Sequence, residues 1–123
     1  MKKICLVLVL VVSACSGVFA ASAERTQFRQ YVELTKKSPT NPEGMTVVAD
    51  EQYRIIYVAM PFTADSSSIN EQVINSMRAG MLQAARSYKD DVKIIKNLKI
   101  SFVYTFVTSD KKVFCIPLSY QDL

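Results

Sequence analysis

Apolar and polar positions change period several times along this chain. In residues 24–38, ERTQFRQYVELTKKS, Phe28, Tyr31, Val32 and Thr35 recur on one helical side with charges elsewhere, which predicts a short amphipathic helix. SPTNPEG (38–44), with two prolines and a glycine, predicts a loop and leaves that helix loosely attached to the rest of the chain. MTVVAD and YRIIYVAMPF are β-branched and aromatic runs joined at Asp50-Glu51-Gln52 and closed by Pro61, the signature of a hairpin.

A helical period returns after Ser68-Ile69-Asn70-Glu71, whose spacing is that of a capping box with Ser68 as N-cap. Val73, Ile74, Met77, Met81, Ala84, Ala85 and Tyr88 then form one stripe, which leaves Leu82 on the polar side with Asn75, Arg78, Arg86 and Lys89. The stripe continues formally through Val92, Ile95 and Leu98, but a helix that long is unusual in a small domain, so its end is placed near Asp90. The strongest strand signal comes next. Ile100, Phe102, Tyr104 and Phe106 alternate with Ser101, Val103, Thr105 and Val107, and a polar turn at Ser109-Asp110-Lys111 leads back through Val113 to Leu118. Pro117 cannot donate to a ladder, which assigns the last strand to an edge.

The layout predicts an α+β domain: an antiparallel four-stranded sheet of two hairpins, one long helix packed on a face, and a short N-terminal helix. Tyr53, Ile55, Tyr57, Phe102, Tyr104, Phe106, Phe114 and Ile116 are expected to face the helix. Arg54, Val58, Val103, Thr105 and Val107 are expected on the opposite face. Over residues 44–120 this pattern resembles small exported bacterial domains of unknown function with a strand-strand-helix-strand-strand core. The resemblance implies a fold and carries no activity.

At the N-terminus, Lys2 and Lys3 precede a short apolar run, the n-region and h-region of a secretory signal. Three fates fit it. Val18-Phe19-Ala20 and Ala21-Ser22-Ala23 both suit a signal peptidase, giving soluble release. Val12-Ser13-Ala14-Cys15 resembles a bacterial lipobox, which would make Cys15 the lipidated first residue of an outer-membrane lipoprotein. An uncleaved anchor is the third, since Ile4 to Ala23 is long enough to span a bilayer. The expected organisation is a signal segment over 1–20 (or to 23, or to the residue before Cys15), a helix and Pro-containing linker over 21–43, and the α+β domain over 44–123. All three fates carry the chain out of the cytoplasm, to the periplasm, the outside or the outer membrane.

Composition then limits the chemistry. The chain has 123 residues, half of them apolar, which suits one globular domain. The formal charge is +4, but Lys2 and Lys3 belong to the leader, and the remaining 13 basic and 11 acidic side chains argue for no nucleic-acid partner. There is no histidine, which removes histidine-activated nucleophiles, imidazole zinc sites and a histidine pH switch. Beyond the leader only Gly44 and Gly80 remain, too few for a glycine-rich phosphate cradle, and Cys115 stands alone in an apolar strand, where a buried thiol is expected. Ser109-Asp110-Lys111-Lys112 spells S-x-x-K, but that motif works from a helix and here lies in a turn. No catalytic, cofactor or metal residues are therefore assigned.

Lys89, Lys93, Lys96 and Lys99 recur every three or four residues and form a candidate anion-contacting stripe. The function that fits best is a non-enzymatic bacterial envelope protein that binds another envelope or secreted protein, as an accessory, inhibitor or immunity-type factor, meeting membrane only through its leader or lipid. The alternative is a carboxylate-dependent hydrolase of cell-envelope material using Asp50, Glu51 or Asp65.

Overall fold

The computed structural model describes residues 17–123, with side-chain surroundings from residue 23 onward. Cys15, the lipobox-like tetrapeptide and most of the leader lie outside the described residues. Helix α1 (Gly17–Lys36) leads into strands β1 (Thr46–Asp50) and β2 (Ile55–Pro61). Helices α2 (Glu71–Arg86) and α3 (Lys89–Leu98) come next, then strands β3 (Ser101–Val107) and β4 (Val113–Leu118), and a 3-10 turn over Tyr120–Asp122 ends the chain. Among the described residues no helix is long and apolar enough to cross a membrane.

The four strands lie in sequence order, β1-β2-β3-β4, with both hairpins antiparallel as expected. The central pair is different. β2 and β3 run parallel, so the sheet is mixed and not antiparallel throughout. The cause is the connection: β2 ends beside Val107 while β3 starts beside Ile55, so residues 62–100 must carry the chain back along the whole sheet. A helical crossover of that kind is what a parallel pair requires.

Three cross-strand rows form the inner face: Ala49–Ile56–Phe102–Leu118, Val47–Val58–Tyr104–Ile116 and Met60–Phe106–Phe114. They meet Phe28 and Val32 of α1, Leu82 of α2, and Ile95 and Leu98 of α3 in one core. Phe106 stacks on Phe114 at 5.1 Å, and Phe62 meets both rings edge-on at 5.9 and 5.3 Å. Such pairs add about 0.5–1.5 kcal/mol beyond their buried area.

The phase of β2 differs from the sequence expectation. Tyr53 sits in the hairpin turn and Tyr57 is 41% exposed, whereas Ile56 and Val58 are buried. Both alternate sets of this strand are apolar, so alternation alone could not choose between them. The charge of Arg54 points to an outward face for the set that includes Val58. Arg54 is instead a turn residue at φ 55°, its guanidinium 5.6 Å from the Phe28 ring centroid and 3.4 Å from Glu24.

Helix α1 is no loose arm. Phe28 is 1% exposed and Val32 is also buried. Glu51 in the β1–β2 turn lies 2.9 Å from Arg29 Nε and 3.4 Å from Arg25 Nε, contacts of charge and not of aligned hydrogen bonds. From Gly17, the first described residue, the helix runs through both expected peptidase sites. Its C-terminus is held by Asn41, whose amide donates to Thr35 O at 2.7 Å.

The long helix is two helices. Asn70, not Ser68, is the N-cap of α2, accepting from Val73 N at 2.9 Å, because Ser68 is already used in a 3-10 turn where it bonds Asp65 O. The break falls at Ser87, whose Oγ donates to Ala84 O. α3 then begins with Asp90 and Asp91 in its first turn, which complement the helix dipole. Leu82, expected to be exposed, is 7% exposed and is the one buried residue of α2, while Tyr88 is exposed. The reason is the flank Arg78–Leu82–Arg86. Both arginines turn inward to the C-terminal segment: Arg78 pairs with Asp122 at 2.9 Å and Arg86 donates to Asp122 O. Met77, Met81, Phe102, Tyr104 and Phe106 do share the core, as expected.

Candidate functional site

Each of the three helices among the described residues contributes core residues to one sheet face, and among those residues the other face carries none of them. Across that outer face the registers align Val48–Tyr57–Val103–Pro117, flanked by Thr46–Ala59–Thr105–Cys115 and by Pro61–Val107–Val113. Asp50, at the end of the Asp50–Ile55–Ser101 row, is the one charged strand residue on this face. Val48 is 63% exposed, Tyr57 is exposed, and Val113 is 60% exposed. The expected partner residues divide accordingly. Val103, Thr105 and Val107 lie on the outer face, half-buried among their neighbours. Val58 is 1% exposed in the core and Arg54 lies in the turn, so neither belongs to it. Val48, Tyr57 and Val113 replace them. Sequence reading missed these because an apolar outer face has no polar alternation to mark it.

Cys115 is exposed on this face, with its sulfur 3.5 Å from Thr105 Oγ1, which corrects the expectation of a buried thiol. Its parity in β4 is that of Pro117 and Val113, opposite Ile116 and Leu118. Pro117 does lie on an edge strand, since among the described residues β4 pairs only with β3.

The carboxylates named for a hydrolase are separated and engaged in local structure. Asp50 accepts from Tyr53 N in the β1–β2 turn, and Glu51 pairs with Arg25 and Arg29. Asp65, beyond the far end of β2, caps the 3-10 turn over Ser66–Ser68 by accepting from Ser67 N. Asp110 is the carboxylate most strongly perturbed. It accepts from the Ser66 and Thr108 hydroxyls and from Ser66 N at 2.9 Å, tying the β3–β4 turn to the segment that leaves β2. Those hydrogen bonds, the Ser66 hydroxyl first, lower its pKa to about 2. Asp122 is held below the usual carboxylate range by the Ser119 N–H and by Arg78. Among the described residues no three carboxylate or thiol side chains gather as metal ligands.

Lys89, Lys93 and Lys96 are exposed along α3, and Lys99 caps it in the left-handed region at φ 55°. None of the four pairs with a carboxylate among the described residues.

On the helical side lies a half-open cleft of about 540 Å³, bounded by α1, the α2–α3 corner, and the ends of β3 and β4. Tyr31, Phe102, Tyr104 and Tyr88 bring four aromatic rings to it, and Leu34 and Ile94 add apolar rim. Phe102 meets Tyr31 edge-on at 6.5 Å and stacks on Tyr104 at 6.0 Å. Burial, then the charge of Asp91, pushes the Tyr31 phenol far above its ordinary pKa; burial raises Tyr104 as well. Both stay protonated.

No family model, curated protein or solved structure matches the chain.

Proposed function

We propose that this is an exported, non-enzymatic protein of the bacterial envelope that grips another envelope or secreted protein with the outer face of its sheet. The observation that carries the reading is the row Val48–Tyr57–Val103–Pro117, an apolar line across all four strands with no helix of the described residues over it. A sheet face turned permanently to water is usually polar, and contiguous exposed apolar surface marks interaction sites. Four strands of up to seven residues, at ~4.8 Å between strands and ~3.3 Å per residue, give a face of roughly 400 Å². That is about half of the ~800 Å² per partner in a standard interface, so it serves as the apolar centre with the surrounding turns as rim. The near absence of charge selects a partner whose contact surface is equally uncharged. The separation of Asp50 and Glu51 from Asp65 supports binding over hydrolysis, which needs two carboxylates converging on one bond.

The test is affinity capture from the envelope fraction with the wild type, Tyr57→Glu and Val103→Glu, read by mass spectrometry. Both substitutions put a charge into the apolar row. Tyr57→Glu should abolish capture and leave stability within about 0.5 kcal/mol, as exposed substitutions do. A well-folded Tyr57→Glu protein that retains its partner would refute the face.

A further inference from the structure

We propose that the cleft between α1 and the α2–α3 corner binds an organic cation, an alkylated ammonium group carried on an apolar body. Its volume of about 540 Å³ falls within the roughly 300–1,000 Å³ of small-molecule sites. The argument for charge is the composition of the wall. Four aromatic rings line it, and Asp91 is the one charged side chain that does. Lys89 and Lys93 sit two residues to either side of Asp91 on the same helix, yet neither lines the cleft. An anion entering here would meet a carboxylate and no counter-charge. An ammonium group meets the carboxylate and the negative faces of aromatic rings, the combination that recognises quaternary ammonium ligands.

The phenols strengthen the case. Tyr31 from α1 and Tyr104 from β3 both line the cleft, so its aromatic wall is built from two different elements. Both rings are placed by packing on Phe102, edge-on for Tyr31 and stacked for Tyr104. Asp91 and Tyr31 both line the cleft, the one from α3 and the other from α1. The site is on the helical layer, opposite the face proposed for protein binding, and stands or falls independently of it.

The experiment is an amide-shift NMR titration of the full chain with choline and benzyltrimethylammonium as cationic probes and 3,3-dimethylbutan-1-ol as the uncharged isostere of choline. Saturable shifts should centre on Tyr31, Asp91 and Tyr104, and the isostere should bind at least roughly tenfold more weakly, about 1.4 kcal/mol. Asp91→Asn, at an exposed position, should weaken cation binding by roughly two- to fivefold, the range of an exposed charge pair. Tyr104→Leu should weaken it by roughly tenfold or more, and Tyr104→Phe, which keeps the ring, should change it less than about twofold. Equal affinity for the uncharged isostere, an Asp91→Asn protein that binds as the wild type does, or no saturable shift with either cation would each overturn the proposal.

Discussion

Truncating Phe28 to alanine measures whether α1 belongs to the domain. The side chain is 1% exposed between the helix and the sheet. An aromatic residue buries roughly 150–250 Å², worth about 4–6 kcal/mol at ~25 cal/mol per Å². Alanine keeps the Cβ, and the denatured chain already hides part of the ring, so the expected loss falls to about 3–5 kcal/mol. The Arg54 guanidinium loses its aromatic contact but keeps Glu24, which adds no more than about 1 kcal/mol. A domain of this size has a total stability of about 5–15 kcal/mol. Urea denaturation should therefore show a midpoint lowered by about a fifth or more with an unchanged slope, and the melting temperature should fall by roughly 12–20 °C. Leu34→Ala on the same helix, at a half-exposed rim position, is the control and should cost less than about 1 kcal/mol. If Phe28→Ala stays within about 1 kcal/mol of wild type, the core is complete without α1 and the helix is a detachable arm.

Leu82→Ala should cost about 2–5 kcal/mol in the same assay while Tyr88→Ala costs under about 1 kcal/mol, an order that reverses if the helical stripe runs through Tyr88. Asp110, with its folded pKa lowered from 3.8 to about 2, contributes stability that is fully present above pH ~4 and lost as pH falls toward 2. The stability gap between wild type and Asp110→Asn should therefore close over that interval; a gap that widens on acidification would contradict the sign. Lys99→Gly should stabilise by up to about 1 kcal/mol, because glycine takes the left-handed helix cap at φ 55° without the penalty lysine carries there.

Legibility in the sequence depended on contrast. Each hairpin was readable because turn residues separate β-branched runs, and β3 was readable in phase because Ser101 and Thr105 alternate with Phe102, Tyr104 and Phe106. β2 offered no such contrast: Tyr53, Ile55 and Tyr57 are as apolar as Ile56, Val58 and Met60. That missing contrast was itself the trace of an apolar outer face. The phase of α2 was hidden for a different reason, since Arg78 and Arg86 look like solvent-facing charges until the C-terminal turn supplies Asp122 as their partner. The aromatic cleft could not be read in advance, because its walls come from α1, α3 and the sheet, and only packing brings Tyr31, Asp91 and Tyr104 together. The parallel direction of β3 was latent in the layout, since one helical return between two hairpins sets both inner strands the same way.

That parallel seam also dictates an order of events during folding. Each hairpin closes over a short turn and can form within microseconds, but the β2–β3 ladder joins segments separated by residues 62–100 and must first overcome the closure entropy of that stretch. Until it closes, each hairpin has apolar side chains on both faces and an unpaired inner edge. Ile56 and Phe102, paired across the seam and buried beneath the helices, thus belong to the late, non-local contact that turns two aggregation-prone ribbons into one sheet.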